Sequence, residues 1–161
     1  MKKAMFPGSF DPPTMGHINI IERSAKLFDK VYVVVADNIK KKSLFSKDEK
    51  VEMLQELFRY NDKIEIVSYS GLMANFAREF SVDVMLRGVR AQDDFNYEFE
   101  MAMNNRILNP ELEVLFIPTD TKYFLLRSSQ IKEFAHFGVD VKGMVPELVR
   151  ERLLDKIKEN E

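Results

Sequence analysis

The sequence contains no cysteine, and its only histidines are His17 and His136. The absence of cysteine excludes disulfide bonds, thiolate catalysis, and zinc or iron–sulfur sites with cysteine ligands. Two histidines also argue against a metal site built from imidazole ligands. If a metal ion takes part, we expect a hard ion such as Mg²⁺ that is held mainly by the phosphates of a substrate.

The sequence also lacks long apolar runs and a strong excess of either charge. No stretch approaches the roughly 20 apolar residues of a membrane-spanning helix, and we expect no secretory leader, because residue 1 leads straight into the first predicted strand. The formal net charge is −2, whereas a dedicated nucleic-acid binder carries a basic face. We therefore expect a soluble cytoplasmic protein without nucleic-acid or membrane partners, folded as one domain over residues 1–161.

Apolar periodicity predicts alternating strands and helices along the whole chain. The run at residues 30–36 is nearly continuous in β-branched residues, which is typical of a parallel strand covered on both faces. The predicted class is a three-layer α/β fold with a five-stranded parallel sheet of order 3-2-1-4-5. Ligands of such sheets bind beyond the carboxyl ends of the strands, where the strand order reverses.

The loop between the first strand and the first helix carries the strongest chemical signal. Backbone N–H groups at a helix N-terminus attract anions, and Gly8 permits a positive φ or a close backbone approach to a ligand. Ser9 and Thr14 add hydroxyl groups, and His17 adds an imidazole. The loop predicts a phosphate site, although a plain turn with Thr14 as helix N-cap and a solvated histidine is the alternative for any single residue. It is not a Walker A loop, because no Gly-Lys-Ser/Thr follows.

Two charged clusters follow other predicted strands. One lysine among residues 40–42 is a candidate phosphate binder, and a solvated turn is the alternative. Arg87 and Arg90 flank a glycine at the end of the fourth strand, where their planar guanidinium groups suit bidentate phosphate contacts. The alternative for these arginines is a surface pair balanced by Asp93 and Asp94.

Two later segments leave alternatives open. Ser128 or Ser129 is predicted to cap a helix, and the same serines offer a second set of donors for phosphates. In the long helix over residues 93–108, the side chains of Phe95, Phe99 and Met103 recur every four residues. We expect this stripe to pack on the core or on a neighbouring subunit.

With these residues in view, the chain resembles a known family. Thr14-Met15-Gly16-His17 matches the (T/H)xGH signature of the nucleotidylyltransferase superfamily, whose fold is Rossmann-like. Four further segments make the chain similar to bacterial phosphopantetheine adenylyltransferases along almost its whole length: residues 40–45, 71–77, 87–98 and 128–133. The resemblance implies transfer of AMP from ATP to 4′-phosphopantetheine, the penultimate step of coenzyme A synthesis. A sister enzyme acting on nicotinamide mononucleotide and a non-catalytic nucleotide-binding protein are the alternatives.

The resemblance also implies residue roles. His17 would contact the ATP phosphates and stabilise the transition state, and Ser9 would contact both substrates. Lys41, Met73 and Arg87 would hold 4′-phosphopantetheine, where the choice of Lys41 rests on counting back from the phenylalanine at position 45. The implied ATP site further comprises Phe10, Gly88, Val89, Arg90, Glu98, Tyr123, Phe124, Leu125, Leu126, Arg127, Ser128 and Ser129.

Beyond the site, the resemblance implies a homohexamer that requires Mg²⁺ and is inhibited by coenzyme A. The chain departs from the family pattern at Arg127, where the family usually has a serine. A hydroxyl donor is lost there and a cation is gained, so the contacts to phosphate at this position differ from those of the family.

Overall fold

Five strands form one parallel sheet in the computed structural model of the chain. The model describes residues 1–36, 42–90 and 92–159, apart from the side chains at positions 92 and 93. The strands are β1 (Lys3–Gly8), β2 (Lys30–Ala36), β3 (Ile64–Tyr69), β4 (Val84–Val89) and β5 (Glu113–Pro118). Their order is β3-β2-β1-β4-β5, with parallel pairing throughout. The predicted α/β class and strand order are confirmed.

Helices connect the strands and close the chain. They are α1 (Met15–Leu27), α2 (Lys47–Phe58), α3 (Met73–Glu79), α4 (Gln92–Leu108), α5 (Ser128–His136) and α6 (Glu147–Glu159), with a 3₁₀ turn at Thr121–Tyr123. Thr14 and Ser46 begin α1 and α2 with capping boxes, because each hydroxyl accepts from the backbone three residues later. In the described part of the chain, no helix has the length and apolarity that crossing a membrane requires.

The apolar run of β2 divides its side chains between the two faces of the sheet. Val31, Val33 and Val35 lie in one buried cluster with residues of α1 and α2. Tyr32 and Val34 lie in a second cluster with residues of α3. Successive side chains of a strand point to opposite faces, so a continuous apolar run produces a sheet with helices on both sides.

A third buried cluster joins three helices beyond the sheet. It contains Met53 of α2, Ile131 of α5 and Leu153 of α6, each at most 1% exposed. Phe45, which precedes α2, is buried in the same cluster. The two C-terminal helices, α5 and α6, therefore pack against α2 and against the segment that leads into it.

Strand β1 continues through Pro7 to Gly8, although Gly8 was predicted to lie in the loop that follows the strand. It pairs with β2 along its whole length but with β4 only at Ala4 and Met5. Pro7 consequently lies on a stretch with one paired neighbour, where the missing N–H of proline is tolerated. Beyond Met5 the two central strands separate, and a cleft opens between them.

Helix α4 leaves much of its apolar surface exposed. Phe95, Phe99 and Met103 are 40%, 45% and 41% exposed, whereas the small Ala102 and the polar Asn105 are buried. Phe95 contacts Phe116 of β5, with ring centroids 5.1 Å apart. Packing of the predicted stripe on the chain's own core is thus only partial, and packing on a neighbouring subunit stays a prediction.

Gly88 of β4 provides a test of how closely α1 lies against the sheet. A Cβ added at Gly88 would lie 2.6 Å from Cδ1 of Ile20, which is buried. We expect Gly88→Ala to lower the free energy of unfolding by about 1 kcal/mol, since overpacking displaces a buried side chain. Urea denaturation of the wild type, Gly88→Ala, Ile20→Val and the Ile20→Val/Gly88→Ala double variant measures this change in the free energy of unfolding.

The paired variant is the control, because Ile20→Val removes the atom that the new methyl group meets. The cost of Gly88→Ala should shrink in the Ile20→Val background. Equal costs in the two backgrounds would show that the contact does not determine the effect.

Candidate active site

A cavity of about 670 Å³ lies at the carboxyl end of the sheet, beside the separation of β1 and β4. It is lined by the β1–α1 loop, residues 42–43, the chain from β4 into α4, and the chain from β5 into α5. Lining residues singled out from the sequence are Ser9, Thr14, His17, Lys42, Arg87, Gly88, Arg90, Glu98, Tyr123, Leu126, Arg127, Ser128 and Ser129. This is the position at which parallel sheets bind ligands.

His17 is held by the helix end on which it lies. The Thr14 hydroxyl accepts a hydrogen bond from the His17 backbone N–H at 3.3 Å, which confirms Thr14 as the N-cap of α1. In return, Nδ1 of His17 accepts from the Thr14 backbone N–H at 3.0 Å. Because Nδ1 is an acceptor, the proton of the neutral ring is assigned to Nε2. The imidazole therefore offers the cavity an N–H donor.

The same ring is kept neutral by its surroundings. The pKa of His17 is lowered from 6.5 to about 4, first by burial and second by the positive charge of Arg90. The rings of Phe6 and Phe10 lie beside it, with centroids 6.4 Å and 5.1 Å from that of the imidazole. At neutral pH, His17 is consequently a hydrogen-bond donor without a charge.

Phe10 fills the space behind the imidazole. Its ring is 1% exposed, and its backbone has a φ of 46°. A Cβ added at Gly8 would lie 3.0 Å from Cζ of this ring. Gly8 was expected to permit a positive φ or a close backbone approach to a ligand. The positive φ lies at Phe10 instead, whereas Gly8 lines the cavity and the close approach to a ligand stays a prediction. The glycine at position 8 makes room for the Phe10 ring.

Asp11 ties three parts of the site together. Its carboxylate accepts from the backbone N–H groups of Leu44 and Phe45 and from Nζ of Lys132, at distances between 2.7 and 3.1 Å. The residue is only 6% exposed. Such charge-assisted hydrogen bonds are stronger than neutral ones, so the β1–α1 loop, the segment before α2 and helix α5 are held in one arrangement.

Arg87 and Arg90 are both bound to carboxylates of α4. Arg87 forms a bidentate pair with Glu98 and donates to the Pro7 carbonyl at 3.0 Å. Arg90 pairs with Asp94 at 3.0 Å and donates to the Leu126 carbonyl at 2.6 Å. The alternative interpretation predicted that Asp93 and Asp94 balance the charges of these arginines. This ion pair is found between Arg90 and Asp94, whereas the side chain of Asp93 lies outside the described residues.

Helix α5 begins differently from the prediction. Its N-cap is Arg127, without a side-chain capping bond, rather than Ser128 or Ser129. The Ser128 hydroxyl is engaged elsewhere, since it donates to the Pro12 carbonyl at 2.9 Å. Arg127 is exposed and lines the cavity, so the helix end that faces the cavity carries a cation beside its free N–H groups.

Charge in the cavity favours an anionic ligand. The described lining contains the cations Lys42, Arg87, Arg90, Arg127 and Lys132. Its carboxylates are Asp11, Asp94 and Glu98, and each of these is paired with one of the cations. The positive excess, together with backbone donors at two helix ends, suits phosphate groups.

Comparisons with known proteins decide the family. Residues 5–134 match the cytidylyltransferase-like family model. The phosphopantetheine adenylyltransferase of Dictyoglomus turgidum is 46% identical over 98% of this chain and 99% of its own length. That of Caldanaerobacter subterraneus subsp. tengcongensis is 43% identical over 99% of this chain and 100% of its own length. The chain belongs to the phosphopantetheine adenylyltransferase family.

A solved structure supports the fold of this family. A protein from Vibrio parahaemolyticus, described as a nicotinate-nucleotide adenylyltransferase, superposes with a TM-score of 0.70 over 96% of this chain and 99% of its own. The sequence identity is 22%, so the likeness concerns the fold alone. It agrees with the predicted Rossmann-like nucleotidylyltransferase fold.

Several residues that the family resemblance implies lie away from the described cavity lining. Met73 packs against the buried cluster on the α3 face of the sheet. Phe10 lies behind His17, and the lining does not include Val89, Phe124 or Leu125. Lys40 and Lys41 lie outside the described residues, and Lys42 lines the cavity. The roles assigned to all these residues stay predictions.

The cavity also contains residues that the sequence analysis left without a role. Lys132 lines it one helical turn after Ser128, and Ser43, Tyr97 and Thr119 contribute to its walls. The four-residue spacing from Ser128 was the available signal for Lys132, because residues i and i+4 of a helix share a face. No comparable spacing marks Ser43 or Thr119.

Burial of His17 predicts a specific dependence of stability on pH. The folded state resists protonation down to about pH 4, whereas the unfolded chain takes up this proton near pH 6.5. Acidification from pH 6.5 to 4 should therefore lower the free energy of unfolding through His17 by up to about 3 kcal/mol. Urea denaturation across this range, in the wild type and in His17→Gln, measures the effect.

The loss on acidification should be smaller in His17→Gln, because that variant has no imidazole at position 17. His136→Gln is the matched control, since His136 is exposed at the end of α5. Parallel pH profiles for the wild type and His17→Gln would contradict the assignment.

Proposed function

We propose that this protein transfers AMP from ATP to 4′-phosphopantetheine, giving dephospho-CoA and pyrophosphate, the penultimate step of coenzyme A synthesis. The observation that carries the proposal is the neutral His17, presented with its Nε2–H at a cavity that is lined by an excess of cations. Relatives that carry the name phosphopantetheine adenylyltransferase match almost the full chain.

The chemistry requires positioning and charge stabilisation rather than a strong base. A phosphate oxygen of 4′-phosphopantetheine attacks the α-phosphorus of ATP in line with the departing pyrophosphate. The new O–P bond forms as the bond between the α-phosphorus and its bridging oxygen breaks, and no covalent enzyme intermediate is formed. Because the nucleophile is already anionic at neutral pH, catalysis rests on alignment and on stabilising charge in the transition state.

His17 suits the role of transition-state stabiliser. The bond from the Thr14 N–H to Nδ1 fixes the ring and its tautomer, so the Nε2–H needs no reorganisation during the reaction. A fixed donor at the position where charge develops is the arrangement of an oxyanion hole. The low pKa keeps the ring neutral, and its donor capacity is constant across the neutral pH range.

Arg87 retains donors for 4′-phosphopantetheine despite its partners. An arginine has five N–H donors; Arg87 uses its Nε–H, one from Nη1 and one from Nη2 on Glu98 and Pro7. Glu98 thereby holds the guanidinium at the cavity wall while two N–H groups remain for a phosphate. We assign Lys41 and Met73 to the same substrate, and Ser9 to both substrates, on the family pattern.

The ATP side of the cavity is formed by Arg90 and by the segment that leads into α5. Arg90 supports this segment through the Leu126 carbonyl, and Arg127 and Ser129 face the cavity beyond it. We propose that these groups, with Gly88, bind the ATP phosphates. Arg127 supplies a charge where family members usually supply a hydroxyl.

We propose Mg²⁺ as the cofactor, held mainly by the phosphates of ATP. The residues fit this arrangement, since each carboxylate of the described lining is paired with an arginine or lysine. The described residues contain no group of three metal-ligating side chains. The ion would neutralise the leaving pyrophosphate, while the cationic side chains orient the two substrates.

Three further proposals follow the family pattern. Coenzyme A carries the phosphopantetheine moiety, so it would compete for the same cavity as an inhibitor. A cytoplasmic location matches the use of ATP. Assembly as a homohexamer is supported by exposed apolar side chains on α4, because a patch of this kind marks an interaction surface. These side chains are Phe95, Tyr97, Phe99, Met101, Met103, Ile107 and Leu108.

Acceptor preference tests the proposed reaction directly. With Mg-ATP, the protein should release pyrophosphate in the presence of 4′-phosphopantetheine and remain at background with nicotinamide mononucleotide. A coupled pyrophosphate assay with both acceptors measures this. Release with the nucleotide alone would assign the chain to a sister activity, and silence with both acceptors, with ATP bound, would favour a non-catalytic protein.

Substitution of His17 tests the mechanism. His17→Asn retains an acceptor near the Thr14 N–H but loses the Nε2–H donor, so kcat should fall roughly 100-fold. The affinity for ATP should change much less, because the donor acts mainly in the transition state. Steady-state kinetics and equilibrium ATP binding separate the two effects. An intact kcat with weakened ATP binding would contradict this role.

A further inference from the structure

A buried lysine lies behind the cavity wall without a carboxylate partner among the residues that the structure describes. Lys50 of α2 is 5% exposed, on the same inward face as Met53 and Leu54. Its Nζ donates to the Ser43 hydroxyl at 3.3 Å, and it forms no ion pair with any carboxylate in the described part of the chain. A buried ammonium is costly unless it is paired, so its presence at this position needs an explanation.

The partner of Lys50 is a residue of the cavity. Ser43 lines the cavity beside Lys42. The segment that carries Ser43 is fixed, because the Leu44 and Phe45 N–H groups both donate to Asp11 and the Phe45 ring is buried. Ser43 thus has a defined position between a buried ammonium and the space where substrate binds.

The direction of the hydrogen bond determines what Ser43 can do. A lysine ammonium has donors only, so the Ser43 oxygen accepts from it and the Ser43 O–H remains free to donate. A cation bound to a hydroxyl oxygen makes that O–H a stronger donor, since hydrogen bonds in a chain polarise one another. An anion that accepts from Ser43 would also offset the charge of Lys50.

We propose that the Ser43 hydroxyl donates to a phosphate oxygen of a substrate and that Lys50 is a positioning residue that orients and polarises this hydroxyl. The inference rests on the proposed function, because it needs a phosphorylated substrate in the cavity. The phosphate belongs either to 4′-phosphopantetheine or to ATP, and the chemistry of the contact is the same for both.

The experiment compares ligands with and without phosphate. Isothermal titration measures the affinity for 4′-phosphopantetheine against pantetheine and for ATP against adenosine, in the wild type, Lys50→Met, Ser43→Ala and the double variant. In Lys50→Met, affinity for one phosphorylated ligand should fall about tenfold, the scale of a hydrogen bond to a charged group. Affinity for the matching ligand without phosphate should not change, and the pair that responds identifies the source.

Stability measurements distinguish the proposed role from a merely structural one, because loss of a structural residue would lower the urea midpoint. Lys50→Met replaces a buried ammonium by an apolar chain of similar length, so its urea midpoint should match or exceed that of the wild type. Lys50→Arg retains a charged donor and should recover most of the lost affinity. Lys26→Met is the matched control for the loss of one positive charge, because Lys26 is exposed at the end of α1.

The outcomes of these measurements either support or overturn the roles assigned to Ser43 and Lys50. The effect of Ser43→Ala should be smaller in the Lys50→Met background, since the two residues act in series. Additive effects, unchanged affinity in either single variant, or equal losses for ligands with and without phosphate would overturn the inference. If Lys50→Met does not fold, the exposed Ser43→Ala decides alone. Failure of the wild type to bind 4′-phosphopantetheine would instead refute the proposed function.

Discussion

The buried carboxylate of Asp11 is the interaction on which the site depends. Three segments that are far apart in the sequence meet at this one side chain. The β1–α1 loop supplies the carboxylate, and the segment before α2 and helix α5 supply the donors. A buried carboxylate that loses such donors is strongly destabilised, so the segments are constrained together. Asp11 therefore fixes the relative positions of three segments, which carry His17, Ser43 and Lys132.

Polar side chains of the cavity hold neighbouring segments together in addition to facing the ligand. Arg87 and Arg90 each hold a carboxylate of α4 and a backbone carbonyl of another segment. Their fixed, branched geometry permits several simultaneous bonds, which a lysine could not make in the same way. Side chains that are already oriented by such bonds lose little conformational freedom when a substrate arrives.

The fold could be predicted from the sequence because the apolar patterns of successive segments all indicated the same α/β class. Apolar strands alternated with amphipathic helices, and the handedness of crossovers left few possible strand orders. Residues of the cavity lining were predicted where a motif was contiguous, as at His17. They were missed where partners are distant, since Asp11 and Lys132 are 121 positions apart. The N-cap of α5 is Arg127, and the Ser128 hydroxyl bonds to the Pro12 carbonyl, a contact between distant residues that no local pattern reveals.

The short pairing between β1 and β4 divides the sheet into two ribbons. The strands β3, β2 and β1 are joined by six-residue registers, as are β4 and β5, whereas two residue pairs join the ribbons. Ser43 and His17 lie in segments that follow strands of the first ribbon, whereas Arg90 follows β4 of the second ribbon. The bond from Arg87 to Pro7 braces this seam. A small rotation about the seam would change the width of the cavity without breaking the strand pairing within either ribbon, and it would be opposed by the bonds that join α5 to the β1–α1 loop.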